Sequence, residues 1–436
     1  MKIFVIGQTT MEMYRIEYGN IGNYYILEPF FRKLHEYFPN SSIKTTLQLT
    51  DRFCKAEKVK SVPMELYYDL SSLENEAKVD NELKLAKDIK SGKSFDKNIL
   101  SPYLKEVIDS DMVIDFSGDI WGENASLLKK DRFIVGVKKN KVAQDLGKFT
   151  ALIASSPGPF DLTDNFELTK QVFENFDFVG NREAESIRVI KDFGINTHNV
   201  DNYACPAFLF EPGDISKIIK KKYFSEDKKV LGFILCGFNF EDGPHNKWPR
   251  NSSDYDKFVK LVKNFLDNNS DYHVIFMSHA NGFKLPPTPF VQIPGSDFKH
   301  AKMMYDLLSK KGYGHRIKLL EEILSQHETK AFISNFDLLV SGRIHGAVAG
   351  FSQNVPTMVL DYGHEPKAHK TLGFVKNIGS EEFFCNPNDL AEMLSKLKKL
   401  KLVNLTERER LNKANIKVKK MVNKLFFDLK ICYENY

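Results

Sequence analysis

The sequence has few cysteines, and none of them form a Cys-X-X-Cys pair. An odd number of widely separated cysteines argues against a disulfide framework and against a structural zinc site. We therefore expect reduced thiols, as in a cytoplasmic protein. The five are Cys54, Cys205, Cys236, Cys385 and Cys432.

Long apolar runs are also missing. No segment approaches the roughly 20 residues that a membrane-spanning helix requires, and the first residues, MKIFVIGQTT, indicate a strand rather than a secretory signal. The sequence shows no anchor, so we expect a cytoplasmic protein. It leaves open a peripheral position at the inner face of the membrane, acting on lipid-linked material.

A strong excess of one charge is absent as well. Lys and Arg number 62 against 57 Asp and Glu, a net charge of +5 over 436 residues. Nucleic-acid binders need a concentrated basic face, so this balance argues against that class. A locally basic cleft for a small anion remains compatible with it.

What the chain does contain is a series of short apolar runs that end in Gly or Ser. Examples are DMVIDFSGD (111–119), TALIASSPGP (150–159) and FDFVGN (176–181). This is typical of parallel sheets, in which each strand passes through a loop into a helix. After a polar stretch, a second series begins with VLGFILCGF (230–238).

The fold class predicted from this pattern is α/β, with two doubly wound Rossmann-like domains and a cleft between them. The predicted domains are 1–212 and 213–395, followed by C-terminal helices over 396–436. The charged segment 73–97 has no clear periodicity, so we expect an insertion or a mobile loop there.

The stretch DLLVSGRIHGAVAGF, from Asp337 to Phe351, places charged chemistry at a strand-to-helix junction. Free N–H groups at a helix start attract anions. Arg343 adds a fork of donors suited to phosphate or carboxylate. His345 adds a group that titrates near neutral pH. The alternative is a surface arginine and a histidine satisfied within the fold.

Three further segments contain Gly and Asn residues at a similar junction between predicted elements. Arg182 follows FDFVGN, with a solvated arginine paired to Glu183 or Glu185 as the alternative. The other two are candidates for contacts to a ligand or to a sugar and its hydroxyls, with a tight turn, a capping Asp and a core Trp as alternatives. Their residues are Asn20, Gly22 and Asn23 in YGNIGNYY, and Gly118, Asp119 and Trp121 in FSGDIWGEN.

The segment LDYGHEPKAHKTLGF (360–374) carries Lys367, which suits a phosphate contact or a plain loop position. His364 and His369 lie five residues apart there, and His345 lies in SGRIHG. Their spacing is not HExxH and no cysteine is near, so we predict no metal.

In order along the chain, GNIGN, MVIDFSGDIWG, IASSPGPF, FVGNREAES, CPAFLF and SGRIHGAVAGFSQNVP resemble the polysaccharide pyruvyl transferases. The resemblance covers roughly residues 1–380. It implies a two-domain glycosyltransferase-B architecture with the active site in the cleft. It also implies transfer of the enolpyruvyl group of phosphoenolpyruvate onto two hydroxyls of one sugar of a surface or capsular polysaccharide or its precursor, giving a pyruvate ketal.

The family pattern implies that Arg182 and Arg343 grip the donor, with Lys367 as a further anion contact. His345 becomes the catalytic acid that protonates the methylene carbon, with Arg343 stabilising the departing phosphate. Ser341 and Gly342 complete the expected donor set. The scheme needs no cofactor and no metal.

Three positions depart from the family pattern. Asn23 stands where an Asp is usual, Cys205-Pro206 replaces an Asp-Pro pair, and ASSPGPF replaces a GQSIGPF-like segment. These departures leave open a sugar-binding relative without activity. The two-domain cleft is equally consistent with a glycosyltransferase that uses a nucleotide sugar. The acceptor sugar, the linkage and the oligomeric state do not follow from the sequence.

Overall fold

The computed structural model describes residues 1–7, 17, 19–62, 73–94, 96–116, 118, 121–122, 130–160, 165–241, 247–284, 291–362 and 369–436. The chain forms two compact units. The first unit comprises Met1–Ile16, Glu28–Pro206 and Met421–Tyr436, and the second comprises Glu17–Leu27 and Ala207–Lys420. None of the helices among the described residues is long and apolar enough to span a bilayer.

The first unit is built on a seven-stranded parallel sheet in the order β3-β2-β1-β4-β5-β6-β7. Its strands are β1 (Lys2–Ile6), β2 (Ser42–Thr45), β3 (Val59–Ser61), β4 (Met112–Asp115), β5 (Phe149–Ser155), β6 (Phe178–Asn181) and β7 (Val200–Asn202). The helices of this half of the chain are α1 (Ile21–Tyr37), α2 (Asp51–Ala56), α3 (Leu73–Lys90), α4 (Pro102–Asp109), α5 (Lys130–Asp145), α6 (Phe166–Glu174) and α7 (Glu185–Asp192).

The second unit contains a six-stranded parallel sheet in the order β12-β9-β8-β13-β14-β15, and a separate antiparallel pair, β10-β11. The strands are β8 (Lys229–Ile234), β9 (Tyr272–Met277), β10 (Asn281–Lys284), β11 (Val291–Pro294), β12 (Ile317–Leu319), β13 (Leu338–Ser341), β14 (Thr357–Leu360) and β15 (Phe384–Cys385). The helices are α8 (Lys217–Tyr223), α9 (Asp256–Asp267), α10 (Phe298–Leu308), α11 (Gln326–Ile333), α12 (Ile344–Ser352), α13 (His369–Ile378), α14 (Leu390–Leu402) and α15 (Asn404–Glu434).

The predicted fold class is confirmed: the chain is α/β, with two Rossmann-like units on parallel sheets. Central strands are buried along nearly their whole length. In β13 and β14, for example, every residue is buried. Helices cover such strands on both faces, which explains why the strands have continuous apolar runs in the sequence rather than alternating ones.

The prediction of an insertion or mobile loop over residues 73–97 was wrong for most of that segment. Residues 73–90 form helix α3. The helix packs through one apolar stripe: Val79 and Ala86 are buried in the same cluster as Val135 and Val142 of helix α5, and Leu83, Leu85 and Ile89 pack against that cluster. An apolar stripe among many charges leaves a weak periodic signal, and tertiary packing supplies the stability that the periodicity did not indicate.

The observed units divide the chain differently from the predicted bounds of 1–212 and 213–395 with separate C-terminal helices. Residues 17–27 belong to the second unit, and residues 421–436 belong to the first. Contacts explain the first assignment: the Asn281 amide donates to the Gly19 carbonyl at 2.8 Å, and Asn20 forms an isolated antiparallel bridge with Ala280.

Candidate functional site

Three strands of the second sheet end at the same level. Met277 of β9 and Ser341 of β13 are both in register with Ile234 of β8, which lies between them. Two residues beyond each of these positions come His279, Arg343 and Cys236 respectively. The carboxyl ends of parallel strands are where ligands bind in such sheets, so these three side chains mark the candidate site of the second unit.

Arg343 is held by Asp297, the residue that precedes helix α10. The arginine Nε donates to one carboxylate oxygen of Asp297 at 2.9 Å, and Nη2 donates to the other at 2.7 Å. Both residues are buried. A two-pronged ion pair of this kind fixes the plane of the guanidinium as well as its position.

Both members of this pair remain charged. Burial works to raise the pKa of Asp297, but the Arg343 guanidinium outweighs it and holds that pKa below its ordinary value. Burial works to lower the pKa of Arg343, but the Asp297 carboxylate keeps it above its ordinary value. The guanidinium therefore stays cationic and oriented inside the protein.

The junction before helix α12 is braced by its own side chains. The Ser341 hydroxyl donates to the Arg343 carbonyl at 2.7 Å and accepts from the Arg343 amide at 3.3 Å. The Ile344 amide lies 3.5 Å from the Tyr362 hydroxyl. Two of the amides expected to attract an anion thus have partners within the protein, and the cationic character of the junction comes from side chains.

Gly342 lies directly against Asn239. A Cβ on residue 342 would fall 1.9 Å from Asn239 Oδ1, and Asn239 Nδ2 donates to the Gly342 carbonyl at 3.3 Å. The Cys236 thiol donates to the same carbonyl at 3.0 Å, and burial raises the pKa of this thiol to about 12. Ser341 and Gly342, which the sequence predicts as contacts of the donor substrate, shape the loop that carries Arg343.

His345 stands at the second position of helix α12. It is buried, and its ring makes an edge contact with Phe374 at a centroid distance of 5.7 Å. Gly22 packs against it so closely that a Cβ on residue 22 would lie 2.4 Å from His345 Cβ. The structure thus brings together two residues that the sequence placed in different predicted sites.

The GNIGN segment is a helix start. The Asn20 side-chain oxygen accepts from the Gly22 amide at 3.1 Å, and the Asn20 carbonyl accepts from the Asn23 amide at 2.9 Å. Asn20 therefore caps helix α1, as in the structural alternative for this turn. Asn23, where the family usually has Asp, is only partly buried.

An aromatic pair borders the arginine. Phe238 and Tyr362 stack with their centroids 4.7 Å apart, and the Arg343 guanidinium carbon lies 5.6 Å from the Phe238 centroid. Lys370 Nζ lies 5.6 Å from the Tyr362 ring. These contacts add a second cation close to the end of β14.

Arg182 lies in the first unit, at the end of β6 and before helix α7. Its Nε donates to the Ser156 hydroxyl at 2.8 Å, its amide donates to the Ser155 carbonyl at 3.0 Å, and it is buried. The solvated arginine that was the alternative is therefore absent. Glu183 accepts a hydrogen bond from the Ser186 amide at 3.1 Å.

Gly118 lies near Arg182: a Cβ on residue 118 would be 3.9 Å from Arg182 Nη1, and the glycine has a positive φ of 62°. Trp121 is fully buried and packs against Phe133 and Phe173. Its indole N–H donates to Asp115 at 2.9 Å. Trp121 thus fills the core of the first unit, which is the structural alternative that the sequence left open.

Two predicted site residues, Asp119 and Lys367, lie outside the described residues, and so does His364. Within the part of the chain that the structure describes, no three His, Cys, Asp or Glu side chains form a group able to hold a metal ion.

Sequence reasoning missed three polar residues of the second unit: Asp297, Asn239 and His279. His279 had an available signal, because YHVIFMSH ends an apolar run with polar residues just as DLLVSGRIH does. Asp297 and Asn239 had none, since their partners lie 46 and 103 residues away along the chain.

We compared the chain with known protein families. The family model described as polysaccharide pyruvyl transferase matches residues 20–364. This range includes Gly22, Arg182, Asp297, Arg343 and His345. A comparison with curated proteins finds no match.

Solved structures share the architecture at low sequence identity. A glycosyltransferase from Rickettsia africae ESF-5 aligns with a TM-score of 0.59 at 10% identity, over 99% of this chain and 98% of the other. Anabaena Alr3699/HepE, in complex with UDP and glucose, gives 0.56 at 9% identity over all of both chains. UDP-GlcNAc 2-epimerase from Methanocaldococcus jannaschii gives 0.55 at 14% identity over 91% and 92%. The likeness establishes a glycosyltransferase-B-like fold.

Proposed function

Because the chain belongs to the polysaccharide pyruvyl transferase family, we propose that it transfers the enolpyruvyl group of phosphoenolpyruvate to a sugar. The acceptor is a saccharide of a surface or capsular polysaccharide, or a precursor of one that is lipid-linked. The products are a pyruvate ketal and inorganic phosphate. The donor is a substrate, and no separate cofactor takes part.

The proposal rests on one observation: Arg343 is paired with Asp297, and Arg343 precedes His345 by two residues. The two hydrogen bonds at 2.7 and 2.9 Å engage Nε and Nη2, which directs Nη1 away from the carboxylate. A fixed guanidinium suits an oxygen of a phosphate or carboxylate. An ionisable imidazole in the first turn of the helix that Arg343 precedes suits proton transfer to the same small ligand.

The chemistry balances with these groups. His345, protonated, gives its proton to the methylene carbon of phosphoenolpyruvate, leaving an oxocarbenium-like centre at the carbon that bears the phosphate. One sugar hydroxyl adds there and returns a proton to His345. A second hydroxyl displaces the phosphate, which departs with the remaining proton. Arg343 stabilises the negative charge on the leaving group, with Arg182 and Lys367 as the further predicted anion contacts.

Ligand-induced thermal stabilisation tests the donor, because a ligand that binds only the folded state raises its melting temperature. We expect a shift with phosphoenolpyruvate and none with UDP or UDP-sugars at equal concentration. Stabilisation by the nucleotide alone would favour the glycosyltransferase alternative, which the fold accommodates equally well.

Acceptor-dependent turnover tests the reaction. Phosphate release from phosphoenolpyruvate should require a saccharide, and mass spectrometry should detect the saccharide with a pyruvate ketal added. His345→Gln should keep the melting temperature within a few degrees and lose activity by at least about 100-fold, the usual scale for a lost general acid. Saccharide binding without any product would support the non-catalytic alternative.

A further inference from the structure

His279 and Tyr25 of the second unit are fully buried polar side chains without hydrogen-bond partners among the described residues. His279 is fully buried, and neither of its ring nitrogens has a partner in another described residue. Tyr25 is also fully buried, and its hydroxyl has none. Buried polar groups are nearly always satisfied in native proteins, so such exceptions point to a missing partner.

The two side chains are neighbours. Their ring centroids lie 5.5 Å apart in an edge arrangement at 73°. Tyr25 occupies the turn of α1 that follows Gly22, the glycine packed on His345, and His279 immediately precedes Ala280, which bridges to Asn20. The pair therefore adjoins the first turn of α1, which packs on His345.

His279 also lies within the electrostatic reach of the Arg343–Asp297 pair. Burial lowers the pKa of His279 to about 3; the charge of Asp297 opposes this shift and that of Arg343 adds to it. The imidazole is therefore neutral at physiological pH, with one N–H donor and one nitrogen acceptor. The register of β9, β8 and β13 places Met277 and Ser341, which precede His279 and Arg343 by two residues, about 10 Å apart in backbone terms, two strand spacings of roughly 4.8 Å.

The Tyr25–His279 pair lacks one hydrogen-bond acceptor within the described ranges. The Tyr25 hydroxyl belongs to a ring whose centroid lies 5.5 Å from that of His279, and it is a neighbouring donor for the acceptor nitrogen of the imidazole. The imidazole N–H then remains as a donor that lacks an acceptor oxygen. An anion held by Arg343 offers such oxygens, and Asp297 already occupies two of the guanidinium donors, so a ligand with several oxygens needs donors from elsewhere.

We infer that Tyr25 and His279 form a subsite in which the imidazole N–H of His279 donates to one oxygen of the anionic ligand beside Arg343, while the Tyr25 hydroxyl holds the imidazole. The ligand's identity as phosphoenolpyruvate rests on the proposed function, whereas the subsite itself rests on the burial and the unpartnered atoms. Because both residues are buried, the oxygen that His279 binds belongs to a small enclosed ligand rather than to a polymer.

The subsite predicts an effect on stability that an ordinary buried histidine or tyrosine would not show. An unsatisfied buried polar group lowers stability, so replacing it with an apolar group of similar shape should not destabilise the ligand-free protein. His279→Leu and Tyr25→Phe should melt at or above the wild-type temperature. The matched control is His300→Leu, because His300 is buried in the same unit but bonded through Nδ1 to the Tyr255 hydroxyl at 2.8 Å; it should melt lower.

Ligand binding provides the second readout. The dissociation constant for phosphoenolpyruvate, taken from concentration-dependent melting, should rise roughly tenfold or more in His279→Leu, the scale of one lost hydrogen bond to a charged group. His279→Gln keeps an N–H donor and should retain most of the affinity. Parallel titrations with inorganic phosphate and with pyruvate show which end of the donor the subsite binds.

Two results would overturn the subsite: His279→Leu melting as low as His300→Leu, or His279→Leu binding the anion with wild-type affinity. A wild-type protein that does not respond to phosphoenolpyruvate contradicts the proposed function instead. The comparison of His279→Leu with wild type, using inorganic phosphate as the probe, then decides the inference alone.

Discussion

Gly22 and His345 are in contact without room for a side chain on residue 22, since a Cβ there would lie 2.4 Å from His345 Cβ. Gly22→Ala must therefore displace the histidine or the first turn of α1. Misplacing a catalytic group by about 1 Å can cost on the order of 100-fold in rate. We expect Gly22→Ala to lose activity to this extent, measured as phosphate release.

The matched control for this substitution is Gly314→Ala in the same unit. A Cβ on residue 314 would meet only Ser309, at 3.8 Å. Overpacking costs typically 1–3 kcal/mol, so Gly22→Ala should also unfold at lower urea concentration, whereas Gly314→Ala should not. Full activity in Gly22→Ala would contradict the packing described here or the role of His345.

The ion pair between Arg343 and Asp297 should show strong coupling in a double-mutant cycle. Asp297→Leu leaves a buried guanidinium without its partner, a loss of roughly 3–5 kcal/mol in the free energy of unfolding. Arg343→Met likewise leaves the buried carboxylate of Asp297 without its partner. The double variant should lose less than the sum of the two single losses, measured by urea unfolding at pH 7. Strictly additive losses would show that the two charges do not depend on each other.

Acid should destabilise the protein through its buried neutral histidines. Burial lowers the pKa of His279 to about 3 and that of His300 to about 4. The unfolded chain takes up protons at these positions below about pH 6.5, and the folded chain does not. The free energy of unfolding therefore falls as the pH drops from about 6.5 toward 4, by on the order of 2–3 kcal/mol for each histidine.

This pH dependence can be assigned by substitution. Comparing urea unfolding at pH 7.5 and pH 4.5, we expect a smaller difference in His279→Leu than in the wild type. His198→Gln replaces an exposed histidine and should leave the difference unchanged. An equal pH difference in His279→Leu would show that His279 becomes protonated in the folded state.

Trp121 should prove structural. Trp121→Phe keeps an aromatic ring between Phe133 and Phe173 but removes the N–H that donates to the buried Asp115. We expect a loss of about 1–3 kcal/mol in unfolding free energy and an unchanged KM for the saccharide. A raised KM at unchanged stability would instead restore the acceptor contact considered from the sequence.

The fold was largely predictable where strands carry long apolar runs. β1, β4 and β6 lie within apolar runs that predict strands, and β5 and β8 each begin one residue before such a run. β3, β12 and β15 have only two or three residues. Strands of two or three residues contain too few side chains to produce a hydrophobic pattern. They are recognised by their pairing with neighbouring strands.

The site was predictable only in part, for a different reason. Arg343 and His345 stand out because their residue types are unusual at a strand-to-helix turn. Asp297 could not be identified, because an acidic residue after Pro-Gly-Ser is ordinary in a loop and its value depends on a partner 46 residues away. The isolation of the His279 nitrogens is a property of three-dimensional packing, which no local pattern contains.

The membership of residues 17–27 in the second unit bears on how the chain folds as it is synthesised. Gln326 donates to the Glu17 carbonyl across 309 residues of sequence. At roughly 5–20 residues per second of synthesis, residues 17–27 wait on the order of tens of seconds before their partners exist. The half of the chain made first can complete its own sheet in that time, but Gly22 reaches His345 only late. The histidine's surroundings are therefore among the last features to form.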